Sequence, residues 1–457
     1  MVLGRIHQLA DPTPFDFALF PIYFAIIYYL GNRYRQRYLT GDPEIYKYYG
    51  QGLMFKLIAS LAFCFIYLYF YGGGDTTGFY HWSYQWLRYF FKHPGDATQY
   101  LFSDNIGLFY RFISSSDGTG YGYLMKYGSS EVYFVKITSV INMLGLNSFL
   151  CTSLVFGYLA FLGSWRLFIV FYDMYPHLKK PLAIATLFIP SAVFWSSGIM
   201  KDTLTYMGIC WLTYNIYFGL IKRQSMVKNI LVGIVMAIVV GKLKGYILLS
   251  FIPAAGYWLI TKYKEKISSS FLRIVTGPFF MVAAIGLSVL LIGEFGNSLG
   301  KYSINNLQKT AEGYQSWHQM TGGSSYTIVG AGDFTLMGLL KIFPQGIVVT
   351  LFRPFIFEAR SIFNIMASLE GMAFMYLTLS ILWHTKIVRL PEAFALDSNV
   401  TFCFMFSIIL AFAVGITSFN FGALARYKIP VMPFYAIGLI IIDDVIKRGG
   451  LLGGKKS

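Results

Sequence analysis

Long apolar stretches, each close to the length that crosses a lipid bilayer, recur along almost the whole of this chain of 457 residues. A bilayer core needs about 20 mostly apolar residues per helix. Only 13% of the residues are charged, against about 25% in soluble domains. We therefore predict an all-α polytopic membrane protein with about 11 transmembrane helices, forming a single integral membrane domain over residues 1–457. The predicted spans are residues 15–31, 53–71, 149–172, 181–199, 203–221, 227–242, 246–262, 272–293, 362–384, 399–420 and 427–445.

Basic side chains stand in short groups at the ends of these spans, and they predict the orientation of the chain. Lysine and arginine are enriched in cytoplasmic loops, so we place the groups in the cytoplasm, with the N-terminus outside and the C-terminus inside the cell inner (plasma) membrane. The formal charge of +16 is scattered among these groups, which favours membrane lipids over nucleic acid as partners. Residues 1–17 lack the basic start of a cleaved signal, and we expect them to be retained. The basic groups are Arg33, Arg35 and Arg37; Lys179 and Lys180; Lys222, Arg223 and Lys228; Lys262, Lys264 and Lys266; Lys386 and Arg389; and Lys447 and Arg448.

Two further apolar stretches, 131–147 and 336–352, are short and contain Lys136 and Lys341. The orientation above requires that neither crosses the membrane, so we predict interfacial or re-entrant helices on the outer face. If either crosses, every assignment beyond it inverts. Two large extracytoplasmic loops, 72–148 and 294–361, then remain. Long loops in compact proteins are usually functional, and we expect short interfacial helices and the chemistry of the protein there.

The first loop opens with "YGGGDTTGFYHW" (71–82), in which Asp75 follows three glycines just past a predicted span. Glycine allows the backbone to turn sharply or to approach a ligand closely. A carboxylate at such a place can act as a general base or as a metal ligand. Asp75 is therefore the candidate catalytic base, with Tyr80 in a supporting role. The alternative is a solvated aspartate in a glycine turn.

Cations recur in the predicted outer turns, against the general trend, and this predicts an anionic partner. Arginine binds phosphate through a two-pronged fork. Other roles stay open: Lys201 and Asp202 pairing in a surface turn, Glu358 pairing with Arg353 or Arg360, and Arg426 reaching the interface as a snorkelling side chain. The candidate phosphate-binding residues are Lys201, Lys244, Arg353 and Arg426, supported by Asp202, Lys242, Glu358 and Lys428.

An acid beside a glycine turn and several cations at one membrane face suit a lipid-linked phosphate or diphosphate. The cations would neutralise charge on the departing phosphate, while Asp75 takes the proton of the acceptor hydroxyl. This predicts a membrane glycosyltransferase of cell-surface polysaccharide biosynthesis, with a polyprenyl-linked sugar donor and a glycan or lipid-linked acceptor. The alternative is a transporter or flippase of lipid-linked glycans, in which the same cations line the headgroup path. Transporters often show repeated halves, and no such repeat is visible in the sequence.

Four motifs resemble those of the glycosyltransferase-C superfamily and of bacterial surface-polysaccharide polymerases: "GGGDTTGFY", "PSAVFWSSGIMKD", "LFRPF" and "RYKIPVMP". The resemblance implies a polytopic enzyme that uses polyprenyl-linked sugars, with an acidic residue in the first external loop at Asp75. Thr76 and Thr77 follow Asp75 where the superfamily has a second external acid. We therefore expect an inverting, metal-independent transfer, with a divalent metal left as the alternative. Whether one sugar is added or repeat units are joined stays open.

No cofactor is expected, because the chain has no Walker loop, no dinucleotide glycine motif and no HExxH. All four cysteines lie in apolar stretches at no metal-like spacing, which predicts buried, unpaired thiols. These residues are Cys64, Cys151, Cys210 and Cys403.

Overall fold

The computed structural model describes residues 12–36, 43–116, 125–264, 326, 336–385, 394, 397–418 and 420–448. Every regular element in these residues is a helix, and the predicted all-α polytopic membrane class is confirmed. The predicted span 272–293 and all of 294–335 except Tyr326 lie outside the described residues. The helices are α1 (Pro14–Gln36), α2 (Pro43–Phe65), α3 (Asp75–Lys92), α4 (Pro94–Phe102), α5 (Ile106–Ser115), α6 (Ser130–Leu144), α7 (Phe149–Met174), α8 (Lys179–Leu187), α9 (Pro190–Trp195), α10 (Lys201–Asn215), α11 (Met226–Lys264), α12 (Leu336–Phe352), α13 (Ile362–Thr385), α14 (Ser398–Ser418), α15 (Phe421–Tyr427) and α16 (Val431–Lys447).

Seven helices within the described residues are long and apolar enough to cross a membrane. They are α1, α2 with its π-helical end Ile66–Phe70, α7, α10 with its π-helical end Ile216–Ile221, α11, α13 and α14. The pair α15 and α16, bent by 62°, makes eight if it is one span. The predicted count of eleven is therefore not confirmed. The predicted span 181–199 is divided into the short helices α8 and α9.

Helix α11 doubles back at Lys244, where the backbone leaves helical geometry (φ −147°, ψ 76°). Gly219 lies against Asn229, close enough that a Cβ at Gly219 would be 2.6 Å from the Asn229 Cβ. The Tyr217 ring stacks on Trp258 with 6.0 Å between centroids. Asn229 and Trp258 would be about 43 Å apart in a straight helix, yet both contact the same turn. The two halves therefore form a hairpin, as predicted for "GKLKGY" (241–246).

The internal contacts divide the chain into two compact units. The first comprises the described residues of Met1–Arg166, Val193–Cys210 and Ile238–Lys244, and the second comprises those of Leu167–Ala192, Trp211–Ala237 and Gly245–Ser457. In the second unit α14 is the central helix, with 89% of its apolar window buried, and it packs against α12 and α16. In the first unit α3 packs against α4, α5 and α6, so residues 75–116 and 130–144 form a helical layer.

The short helices of this layer are amphipathic. Helix α5 buries Leu108, Phe109 and Phe112, and it exposes Ile106 and Tyr110. A helix with one apolar face inward and aromatic groups outward suits a membrane–water interface. The predicted short helices of the first loop are therefore present.

Candidate functional site

Asp75 is held at the first residue of α3 by a turn that only glycine forms without strain. Gly72, Gly73 and Gly74 have φ of +67°, +102° and +141°, a region that side chains disfavour. The Thr77 hydroxyl closes the turn, accepting from the Gly74 amide at 3.0 Å and donating to the Gly74 carbonyl at 2.9 Å. Asp75 is half-buried, and the helix N-terminus stabilises its negative charge. The turn therefore presents a carboxylate just past the span Ile45–Phe70.

Tyr80, the predicted supporting residue, holds α3 in place. Its hydroxyl donates to the Asn147 carbonyl at 2.7 Å, and its ring meets the edge of Phe149 at 5.3 Å. Burial raises the pKa of the Tyr80 phenol, so the group stays protonated and keeps donating. Its role in the structure is to position the helix that carries Asp75.

Lys201 forms an ion pair with Glu131, and Lys244 forms one with Asp202. Lys201 and Asp202, which are neighbours in the sequence, thus have different partners in these two pairs. Lys201 Nζ lies 2.7 Å from Glu131 Oε1, and Lys244 Nζ lies 2.5 Å from Asp202 Oδ1. The second pair is almost fully buried, with 7% and 3% of the two side chains exposed. Both cations predicted to bind phosphate thus have a carboxylate partner, which would compete with phosphate for the ammonium. Lys242, by contrast, is exposed.

Arg353 and Glu358, in the second unit, form a two-point ion pair. Arg353 Nε donates to Glu358 Oε2 at 3.0 Å, and Nη2 donates to Oε1. The guanidinium lies over the rings of Tyr326 and Phe421, at 5.2 and 5.4 Å from their centroids. Burial alone would raise the pKa of Glu358, but the hydrogen bonds from Arg353 and from the Phe355 amide outweigh it and lower the pKa. Of the predicted alternatives, the structure has the Arg353 pair.

Arg426 and Lys428 lie at the end of α15, the helix that contributes Phe421 to the Arg353 site. Arg426 is half-buried, with its guanidinium 6.0 Å from the centroid of the Tyr427 ring. Lys428 is only 1% exposed and lies in the break between α15 and α16. Its ammonium makes no hydrogen bond within the described residues, and Glu370 is near enough for its charge to act on it. The break between α15 and α16 therefore carries a buried lysine.

The predicted site residues are thus divided between the two units. Convergence on one shared site stays a prediction. The first unit carries Asp75, Tyr80, Lys201, Asp202, Lys242 and Lys244, and the second carries Arg353, Glu358, Arg426 and Lys428.

Lys56 is a buried cation that the sequence reasoning missed. It stands near the middle of the span Ile45–Phe70 and is 3% exposed. Its ammonium donates to the Val193 carbonyl at 2.9 Å and to the Ser196 hydroxyl at 2.5 Å. The signal was present, since an ionisable residue inside an apolar span is costly and marks a functional or structural contact.

Compared with protein-family models, with curated proteins and with solved structures, the chain matches none. The described residues contain no group of three or more His, Cys, Asp or Glu side chains that could hold a metal ion. The four cysteines are free and buried, as predicted. Any assignment of function therefore rests on the geometry of the chain itself.

Proposed function

We propose that this protein is a membrane glycosyltransferase that uses a polyprenyl-phosphate- or diphosphate-linked sugar at the outer face of the inner (plasma) membrane. The N-terminus lies outside and the C-terminus in the cytoplasm, and a glycan or a lipid-linked saccharide is the acceptor. The observation that carries the proposal is Asp75, a half-buried carboxylate fixed by a three-glycine turn directly past a span. A general base must be held within hydrogen-bond reach of its substrate. The end of a membrane span lies at the headgroup region, where the phosphate of a lipid is found.

In the proposed reaction Asp75 accepts the proton of the acceptor hydroxyl, whose oxygen attacks the anomeric carbon. The bond from that carbon to the phosphate oxygen breaks, and the phosphate departs with the bonding electrons. The attack comes from the face opposite the phosphate, so the anomeric centre is inverted. Cations at the phosphate stabilise the charge that develops there. In the first unit, which also carries Asp75, the predicted phosphate-binding cations are Lys201 and Lys244. Their carboxylate partners, Glu131 and Asp202, would compete with the phosphate for these two ammonium groups.

The test is transfer by the purified full chain in proteoliposomes that contain a polyprenyl-linked sugar donor. We expect Asp75→Asn to lower the rate by a factor of about 100 to 10,000, as for loss of a general base, with the melting temperature preserved. Asp96→Asn is the matched control, because Asp96 is, like Asp75, a half-buried aspartate in the same layer, and it pairs with Arg111. Wild-type activity in Asp75→Asn would disprove the base assignment.

A transporter of lipid-linked glycans is the second candidate, favoured by Lys56 at mid-span and by the breaks between α8 and α9 and between α15 and α16. Broken helices and membrane-buried charges are common in transporters. The same proteoliposomes separate the two functions. Movement of the donor across the bilayer without acceptor, abolished by Lys56→Met, would establish transport. Transfer without such movement would establish the enzyme.

A further inference from the structure

A cavity of about 390 Å³ lies within the first unit, at the N-terminal end of α6 and beside the link between α4 and α5. This volume is within the range of about 300–1,000 Å³ typical of small-molecule sites. The wall combines aromatic rings, hydroxyl groups and two lysines. Among the residues that line the cavity, Lys242 alone belongs to the predicted site residues, as a supporting one. The cavity is therefore a separate feature of the layer that carries Asp75.

Two cations give the cavity an excess of positive charge. Lys136 Nζ donates to the Ser103 carbonyl at 2.8 Å and lies 3.4 Å from Asp104 Oδ1. The Asp104 side chain is 91% exposed, so water screens most of its effect. An ammonium has three donors, which leaves Lys136 able to bind a further acceptor. Lys242, at the tip of the α11 hairpin, adds a second and exposed cation.

The Tyr100 hydroxyl is an independent sign of a ligand. Tyr100 lines the cavity, is 1% exposed, and its hydroxyl has no hydrogen-bond partner within the described residues. A buried polar group without a partner is costly, so a polar ligand atom here would remove a penalty. Burial also raises the pKa of this phenol, which keeps it a donor. Lys136 lies 4.9 Å from the centroid of the same ring, so the hydroxyl and the ammonium belong to one wall.

The remaining wall suits a sugar ring. The rings of Phe109 and Tyr127 meet edge to face, with 5.5 Å between their centroids, and both residues line the cavity. Ser129 and Ser130 supply hydroxyls at the N-terminus of α6, where the helix favours negative charge. Sugars combine hydroxyl groups with apolar C–H faces, which matches hydroxyl-bearing and aromatic walls together.

We propose that this cavity binds an anionic saccharide, a sugar that bears a phosphate or a carboxylate. The proposal rests on the proposed function and identifies the substrate group that the first unit receives. Lys136 and Lys242 would contact the anionic group, Tyr100 would donate to it or to a neighbouring hydroxyl, and the aromatic rings would pack against the sugar face.

The test is binding to the purified full chain in phosphatidylcholine nanodiscs, measured by thermal shift and calorimetry. The probes are glucose 1-phosphate, glucuronate, glucose and inorganic phosphate. We expect at least one anionic sugar to bind and to raise the melting temperature. Glucose should bind more weakly. Lys242→Met should lower the affinity about tenfold, as for loss of a charge-assisted contact.

Tyr100→Phe gives the sharpest variant, because it keeps the ring and removes only the unpaired hydroxyl. The ligand affinity should fall about 3- to 10-fold, while the melting temperature of the free protein stays unchanged or rises. Tyr110→Phe, at an exposed position on α5, is the control and should change neither value.

Three results would overturn the proposal: unchanged affinity in both Lys242→Met and Tyr100→Phe, equal binding of glucose and the anionic sugars, or equal binding of inorganic phosphate and glucose 1-phosphate. Displacement of the sugar by phosphatidylglycerol in the nanodisc would also overturn it, in favour of a lipid-headgroup site. Asp75→Asn should retain binding. Transfer without binding would therefore reject the cavity alone, and binding without transfer would reject the enzyme alone.

Discussion

At the scale of single residues, Arg353 is fixed on three sides. The Arg353 guanidinium donates two hydrogen bonds to Glu358, and the rings of Tyr326 and Phe421 lie near the guanidinium. The partners are enclosed, with 17% and 18% of their side chains exposed. Charge-assisted, two-point pairs of this kind are among the stronger polar contacts in proteins. Arg353 therefore stabilises the link between α12 and α13 in the resting protein, whatever it does with a substrate.

This pair predicts a dependence of stability on pH. The folded protein lowers the pKa of Glu358 below its ordinary value of 4.5, so the pair stabilises the fold above that pH. Its contribution is lost as the pH falls through the lowered pKa of the folded state. Glu358→Gln should cost about 1–3 kcal/mol of unfolding free energy near neutral pH, and the difference from wild type should shrink in acid.

The measurement is the melting temperature of both proteins in detergent across the acid range. Arg353→Met is the companion variant and should lose the same acid-dependent component. A gap between wild type and Glu358→Gln that stays constant as the pH falls would contradict the role of the ionised pair.

At the scale of helices, the buried lysines share one feature. Within the described residues four lysines are buried: Lys56, Lys136, Lys244 and Lys428. Each lies at or donates to the end or break of a helix. Lys56 donates to a carbonyl of α9, Lys136 to the residue after α4, Lys244 is the break of α11, and Lys428 follows α15. Helix C-termini leave carbonyls unpaired and carry partial negative charge, so Lys56 and Lys136 compensate helix ends. Lys244 instead pairs with Asp202, and the Lys428 ammonium makes no hydrogen bond within the described residues.

Close helix crossings set the packing of the second unit. Gly346 of α12 and Gly415 of α14 meet backbone to backbone, so a Cβ at Gly415 would overlap the Gly346 carbonyl. Small residues permit such approach in membrane helices. Gly415→Ala should therefore destabilise the protein by about 1–3 kcal/mol, the usual cost of overpacking.

Gly256→Ala is the matched control, because a Cβ at Gly256 in α11 meets nothing within 4 Å. Alanine should be neutral there or more stable by about 0.5–1 kcal/mol, since glycine costs conformational entropy in a helix. Thermal unfolding of both variants checks the pair. Equal melting temperatures would show that the α12–α14 crossing is looser than the structure has it.

At the scale of the whole molecule, hydropathy predicts where long apolar helices lie, because the bilayer sets their length and composition. It does not predict helix breaks or ion-pair partners, which depend on tertiary contacts. The predicted spans 149–172 and 362–384 match α7 and α13 to within two residues, because length and apolar composition define them. The predicted span 181–199 is broken after Leu187. The short helix α9 that follows the break is contacted by Lys56, which lies more than 100 residues earlier in the chain and donates to Val193 and Ser196. The partners of the candidate site residues are likewise decided by tertiary contacts. Asp202 pairs with Lys244, 42 residues away, and local sequence carries no sign of that partner.

The hairpin of α11 predicts two membrane crossings, provided that its two halves run along the membrane normal. Both ends of the hairpin, near Gln224 and Lys262, should then face the same side, and its tip at Lys242 should face the other. Single cysteines at these three positions test this with a membrane-impermeant maleimide in intact cells. The native cysteines are all buried, so the background labelling should be low.

In the proposed orientation Lys242→Cys reacts from outside, while Gln224→Cys and Lys262→Cys react only after permeabilisation. Lys447→Cys should behave like the last two, since the C-terminus is proposed to be cytoplasmic. Reaction of Gln224→Cys and Lys262→Cys from opposite sides would reduce α11 to one crossing and invert every span that follows it.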